Sequence, residues 1–116
     1  TSAFDIAEAI VNIAQQILAK FEPEQRGLFH LPPKGTASWA DLAEAVFMHS
    51  KSLGRSFANI ERITTQEYPT PAKRPSNSRL DGNRMQRSFG IVLPEWHHSL
   101  RKIVEALAVE VEEVSR

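Results

Sequence analysis

The 116-residue chain contains no cysteine, which excludes disulfides, thiolate-bound zinc and a cysteine nucleophile. It carries no net charge, fourteen Lys and Arg balancing fourteen Asp and Glu. No global field therefore draws it to nucleic acid or to an anionic membrane. Its five glycines stand apart at 27, 35, 54, 82 and 90, so none forms a dinucleotide fingerprint or a phosphate-cradling loop with its neighbours. No Gly-x-Ser-x-Gly elbow is present. The single tyrosine, Tyr68, has Ala72 four residues on. Lys73 is one position too far for a Tyr-x-x-x-Lys pair, and Pro69 and Pro71 prevent the helix such a pair needs. None of the four histidines (His30, His49, His97, His98) has a partner at helical i, i+4 spacing, so no histidine metal site is expected. No apolar run approaches the roughly 20 residues of a membrane span, and no secretory signal pattern is visible at the start.

What is present is an ordinary globular composition, 41% hydrophobic and 24% charged, and the expectation is one domain over residues 1–116 with a core of its own. The first residue is Thr1 and a helical pattern begins almost at once, so the chain is read as a piece of a larger, cytoplasmic protein. Charge is unevenly placed. Residues 68–102 hold seven basic residues against Asp81 and Glu95, while the flanking stretches are acidic. An anionic ligand fits that cationic stretch best, although a solvated face paired with acidic neighbours would leave the same pattern.

Periodicity places the elements. Ile6, Ile10, Ile13 and Ile17 form one stripe of a helix from about Asp5 to Lys20, closed by Pro23. Residues 27–31, ended by Pro32 and Pro33, read as a strand. Ser38 caps a second helix, with Asp41 answering as a capping-box acid, Leu42, Ala45, Val46 and either Met48 or His49 on its buried face, and Gly54 at its end. Residues 59–65 read as a second strand. A short helix from about Ser78 to Phe89 offers Leu80, Met85 and Phe89 for packing, with Gly90 as its cap. Pro94 opens a last helix whose inward face is Leu100, Ile103, Val104, Leu107 and Val111. The resulting expectation is an α/β fold: about four helices flanking a two-stranded parallel sheet with a right-handed crossover, most of its stability coming from the helices.

Between the second strand and the third helix, Pro69, Pro71 and Pro75 stiffen an extended loop. Arg74 is held on it as a planar, always-charged fork of the kind that binds phosphate or carboxylate in two-point fashion. Lys73 precedes it, and Asn77 and Ser78 follow. The same residues also fit a purely structural role, with Arg74 paired to a carboxylate and Asn77 or Ser78 capping a helix.

The segment from Glu67 through Tyr68 and Arg74-Pro75-Ser76-Asn77-Ser78-Arg79 to Leu80, followed by Phe89-Gly90-Ile91 and Leu93-Pro94-Glu95-Trp96, resembles the C-terminal, substrate-binding part of the dTDP-4-dehydrorhamnose reductase family, within the extended short-chain dehydrogenase/reductases. Gly27–Leu31, Gly35–Trp39 and Thr1–Ala7 resemble that family as well. The resemblance implies a small helical substrate domain lacking the Rossmann half. It implies a parent oxidoreductase that reduces a 4-keto dTDP-sugar with NADPH (or NADH) in dTDP-L-rhamnose synthesis. The glycine fingerprint and the Tyr-x-x-x-Lys pair of such enzymes are not in this chain, so no catalytic and no cofactor-binding residue is assigned and the piece alone is expected to be inert. Lys73, Arg74, Asn77 and Ser78 are the expected substrate-binding residues. The implied partners are the dTDP-sugar, the Rossmann domain and a second copy of the parent. That family's dimer contact uses metal-binding glutamates. Glu105 lies near the corresponding region, but no metal ligand is carried over.

A competing expectation is a non-catalytic module that binds a protein partner, as in the methionine adenosyltransferase regulatory subunit. A Tyr-x-x-x-Lys pair upstream would decide between the two. A nucleic-acid adaptor is disfavoured, because the aromatic residues sit mostly in apolar stripes and do not interleave with the cationic cluster.

Overall fold

The computed structural model describes the backbone of residues 1–114 and the side chains of residues 1–109. In chain order it contains helix α1 (Ala3–Ala19), a 3-10 turn (Pro23–Gln25), α2 (Trp39–Ser52), α3 (Asn83–Phe89) and α4 (Trp96–Val114). The chain divides into two units. Unit 1 comprises Thr1–Thr36 with Arg79–Ile103, and unit 2 comprises Ala37–Ser78 with Val104–Arg116.

In unit 1, the buried Ser2 caps α1 by accepting from the Asp5 backbone N–H at 3.4 Å. Asp5 in turn accepts from the Ser99 hydroxyl at 2.5 Å, tying the start of α1 to the first turn of α4. At the other end of α1, the Gln16 amide donates to the Phe89 carbonyl at 2.9 Å. The packed side of α1 therefore runs through Ser2, Asp5, Ala9, Ile13 and Gln16. This corrects the expected isoleucine stripe: Ile13 is half-buried, but Ile10 is 57% exposed and Ile6 and Ile17 are 36% and 37% exposed. Ala9 is the buried residue of the helix, small enough for a close approach, and hydrogen bonds satisfy the polar residues beside it.

The core of unit 1 is Ala9, Met85, Phe89 and Leu93. Phe29 meets Phe89 edge-to-face at 5.2 Å, a geometry worth about 0.5–1.5 kcal/mol beyond area burial. Gly90 ends α3 in the left-handed region at φ +66°, as a glycine cap should. The third helix is shorter than expected. It starts at Asn83 with Gly82 as its cap, so Asn77 and Ser78 are not its N-cap and Leu80 lies outside it, 56% exposed. Pro94 likewise precedes α4 and is not in its first turn. Pro23 opens the 3-10 turn that follows α1.

The expected two-stranded sheet is absent among the described residues. Residues 27–31 and 59–65 form no ladder, and the sole bridge is an isolated parallel one between Lys34 and Glu95. In that bridge the Lys34 N–H donates to the Pro94 carbonyl at 3.0 Å and the Trp96 N–H donates to the Lys34 carbonyl at 3.1 Å. The reason is visible in what each segment bonds to. The Arg84 guanidinium donates to the Arg26 carbonyl at 2.8 Å and the Leu28 carbonyl at 3.0 Å, and lies over the Phe29 ring at 4.6 Å. A side chain thus takes the place a neighbouring strand would hold. Gly27 makes this possible: its φ is +116°, and a Cβ there would stand 2.6 Å from an Arg84 nitrogen.

Unit 2 is built on α2. Ser38 and Asp41 form the expected capping box, the Asp41 N–H donating to Ser38 Oγ at 3.1 Å and the Ser38 N–H to Asp41 Oδ2 at 2.7 Å. Ala45 is its buried residue. Leu42, Val46 and His49 are half-buried, and Met48 is 59% exposed. Residues 59–65 attach to α2 through Arg62, which binds Glu44 with two nitrogens at 2.6 and 3.0 Å and Asp41 at 2.7 Å. Arg55 donates to the Ala108 carbonyl of α4. On α4, Leu100, Ile103 and Val104 are half-buried and Leu107 is 55% exposed. The Val111 side chain lies outside the described residues.

Candidate functional site

Two features could receive a ligand, one in each unit. The first is the proline-framed loop of unit 2. A turn introduces it: the Glu67 carboxylate accepts from the Thr64 N–H at 2.6 Å and the Thr64 hydroxyl at 2.8 Å, and the Glu67 N–H donates to the Thr64 carbonyl at 3.1 Å. The two bonds to the carboxylate, that from the Thr64 backbone N–H foremost, hold the Glu67 carboxyl below the usual carboxylate range. The chain then runs through residues 68–78 with no helix or strand and with every residue exposed. Lys73, Arg74, Asn77 and Ser78 all lie here, within six residues of one another, so the four expected substrate-binding residues share one loop. No acidic residue occurs between Tyr68 and Leu80, so the local field is cationic. Asn77 makes an interaction of its own.

The second feature belongs to unit 1 and was not anticipated from sequence. It is a half-open cavity of about 440 Å³. Met85 and Leu93 are its buried lining residues, and Pro32, Pro33 and Ile91 are half-buried around it. His30, Lys34, Asp81, Asn83 and Gln86 contribute its polar groups. Gly82 allows it to close on one side, since a Cβ there would lie 3.2 Å from the Pro32 ring. The available sequence signal was the Pro32-Pro33 pair, which periodicity treats only as a strand terminator. None of Lys73, Arg74, Asn77 or Ser78 lines this cavity.

Among the described residues no cluster of three or more His, Cys, Asp or Glu could hold a metal ion, and no helix is long and apolar enough to cross a membrane. The described glycines do not fit a dinucleotide cradle. The chain's own Arg84, Glu95 and Pro32 side chains already fill the space beside Gly27, Gly35 and Gly82, and Gly54 and Gly90 face open space at helix ends.

The model of the RmlD substrate binding domain matches residues 1–109. The chain belongs to this family. As an RmlD substrate binding domain, it is 45% identical over 111 residues to a dTDP-4-dehydrorhamnose reductase of Sinorhizobium fredii, an alignment covering 95% of this chain and 37% of that protein. It is 39% identical over 88 residues to the reductase of the same name from Escherichia coli, covering 74% of the chain and 29% of the relative. A Streptomyces antibioticus protein named as a probable dTDP-4,6-dihydroxy-2-methyloxan-3-one 4-ketoreductase is 28% identical over 98 residues, covering 84% of the chain and 30% of the relative. The RmlD substrate binding domain thus spans about a third of the length of the curated relatives it matches. No solved structure matches at a significant level.

Proposed function

We propose that this chain is the substrate-binding portion of a cytoplasmic, NADPH-dependent dTDP-4-dehydrorhamnose reductase, which reduces the 4-keto group of a dTDP-sugar in dTDP-L-rhamnose synthesis. The observation that carries this reading is the exposed, acid-free loop bearing Lys73 and Arg74, in a chain whose relatives carry that enzyme's name. A sugar nucleotide presents a diphosphate, and Arg74 supplies a planar pair of donors matched to its oxygens. Lys73 adds a second positive charge beside it. Asn77 and Ser78 supply uncharged polar groups that hydrogen-bond to phosphate or sugar oxygens. Prolines on both sides limit how much loop freedom is lost on binding, which favours affinity.

The role of these residues is positioning. Reduction needs a ketone carbon held beside a hydride donor and a proton donor at the ketone oxygen. The nicotinamide supplies the hydride when bound, and the glycines of this chain do not fit it. On this reading the cofactor and the proton donor belong to another part of the longer protein, and the chain by itself is inert.

The test is titration of dTDP-L-rhamnose into the 116-residue chain, with individual backbone amides followed by NMR. Saturable shifts at residues 73–78 are expected, weakened about tenfold or more in Arg74→Ala, a charge-assisted contact being worth about 1.5–3 kcal/mol. Absence of saturable binding, or unchanged affinity in Arg74→Ala, would overturn the assignment. NADPH oxidation by the chain alone with the keto sugar would overturn its inertness.

A further inference from the structure

Resting on the reading that the loop at 68–78 receives a sugar nucleotide, we infer that Glu67 is a positioning residue for that ligand: its carboxylate locks the turn from which the loop departs and so fixes where Lys73 and Arg74 stand. The turn is closed twice. The Glu67 N–H donates to the Thr64 carbonyl at 3.1 Å, as in an ordinary four-residue turn. A single carboxylate oxygen, Glu67 Oε2, then accepts from both the Thr64 N–H at 2.6 Å and the Thr64 hydroxyl at 2.8 Å. Hydrogen bonds to an ionised acceptor are roughly twice as strong as neutral ones, so the side chain adds more to the closure than the backbone bond does.

What lies on either side makes this turn a joint. Before it, Arg62 is held to α2 by Asp41 and Glu44, so the chain just upstream of Thr64 is anchored. After it, Pro69, Pro71 and Pro75 fix their own φ, and Tyr68, Thr70 and Arg74, each preceding a proline, are confined to extended conformations. The Thr70 hydroxyl donates to the Ala72 carbonyl at 3.2 Å within the same stretch. A stiff segment swings as a unit when its base rotates, so a small rotation at Glu67 carries Arg74, seven residues on, well away from its place. A loop held in one geometry binds more tightly in proportion to the fraction of molecules already in that geometry. Charge argues the other way, which separates the two effects. As a bare negative charge at the base of the loop, Glu67 weakens the binding of an anion; as the lock of the turn, it strengthens it.

The experiment compares Glu67→Ala and Glu67→Gln with the unaltered chain, by titration of dTDP-L-rhamnose and by backbone amide relaxation of the free proteins. Glu67→Ala removes both side-chain bonds and the charge. It should bind about five- to tenfold more weakly, the factor that about one net hydrogen bond sets, and the amides of Tyr68, Thr70, Lys73 and Arg74 should gain mobility while those of α2 keep theirs. Glu67→Gln retains an oxygen able to accept both bonds and loses only the charge. It should restore the order of the loop and bind within about twofold of the unaltered chain, exposed charges being largely screened. Equal or tighter binding by Glu67→Ala would overturn the inference and leave the proposed function standing. An equal loss in the two variants would also overturn it, by making charge and not the turn the cause. If the unaltered chain does not bind dTDP-L-rhamnose, the proposed function falls and the amides decide alone: mobility gained in Glu67→Ala and reversed in Glu67→Gln upholds the hold of Glu67 on the loop, and unchanged mobility in Glu67→Ala overturns it.

Discussion

The two units are held together by different chemistry. Unit 1 has a small apolar core and is locked by side chains that donate to backbone carbonyls distant in sequence: Arg84 to Arg26 and Leu28, and Gln16 to Phe89. Unit 2 has Ala45 as its buried residue among those described and relies on exposed ion pairs, with Arg62 between Asp41 and Glu44. Burial and carbonyl acceptors are insensitive to pH and salt, whereas exposed ion pairs contribute little and are screened. Unit 1 should therefore behave as a rigid framework around its cavity. Unit 2 carries the cationic loop on a weaker support.

The largest expected break is Phe89→Ala. It removes the ring that meets Phe29 at the centre of unit 1 and should cost about 3–5 kcal/mol, enough to abolish the cooperative denaturant transition of unit 1 in a chain of this size. Retention of that transition, read from Trp96 fluorescence or unit 1 amide exchange, would show that the core lies elsewhere. Gly27→Ala should be next, at about 1–3 kcal/mol for the strained backbone at φ +116°. It also displaces the Arg84 guanidinium from its carbonyls, so the Arg84 Nη–H resonances should move towards their free positions. Arg84→Met, which keeps an apolar stem over Phe29 but loses both hydrogen bonds, sharpens the same point at about 1 kcal/mol.

How much of this was legible in the sequence depends on which force shapes each element. Local signals read well: Ser38 and Asp41 close their capping box, Gly90 caps α3, and the prolines at 69, 71 and 75 keep the loop free of helix and strand. Tertiary substitutions read poorly. Residues 27–31 have strand-like composition, but a ladder needs a partner backbone, and here the Arg84 side chain bonds the carbonyls instead. The α1 stripe misled for a related reason. Hydrophobic periodicity cannot register a packed face made of Ser2, Asp5, Ala9 and Gln16, in which Asp5 and Gln16 bond to partners more than seventy residues away. That Lys73, Arg74, Asn77 and Ser78 share one exposed loop was readable from the proline spacing. The cavity was not, because it arises where Pro32 meets Gly82 across fifty residues of sequence.

Smaller effects test unit 2. Ser38→Ala removes the cap of α2 and should cost about 1 kcal/mol, confined to amide exchange within α2 and residues 59–65. Equal loosening of unit 1 would contradict the separation of the two.

The mildest prediction concerns acid. Asp41 is held down to about 2 from an ordinary 3.8, first by the Ser38 backbone N–H, then by the Arg62 guanidinium and the Ser38 hydroxyl. A carboxyl whose pKa is lower folded than unfolded adds stability that is complete above the unfolded value and is lost as pH falls through the folded one. Unit 2 should accordingly loosen between about pH 4 and pH 2, with Glu67 acting in the same direction at the base of the loop. Arg84 bonds carbonyls, which do not titrate, so this link within unit 1 persists through that range. Amide exchange followed down the pH scale should show residues 38–67 opening before residues 26–29 and 83–89. In Arg62→Ala the Asp41 carboxyl, followed by its carbon chemical shift, should titrate closer to its ordinary value while still depressed by the Ser38 N–H. Opening of both units at one pH, or an Asp41 titration unmoved by Arg62→Ala, would mean that the ion pairs of unit 2 contribute nothing that its capping box does not already supply.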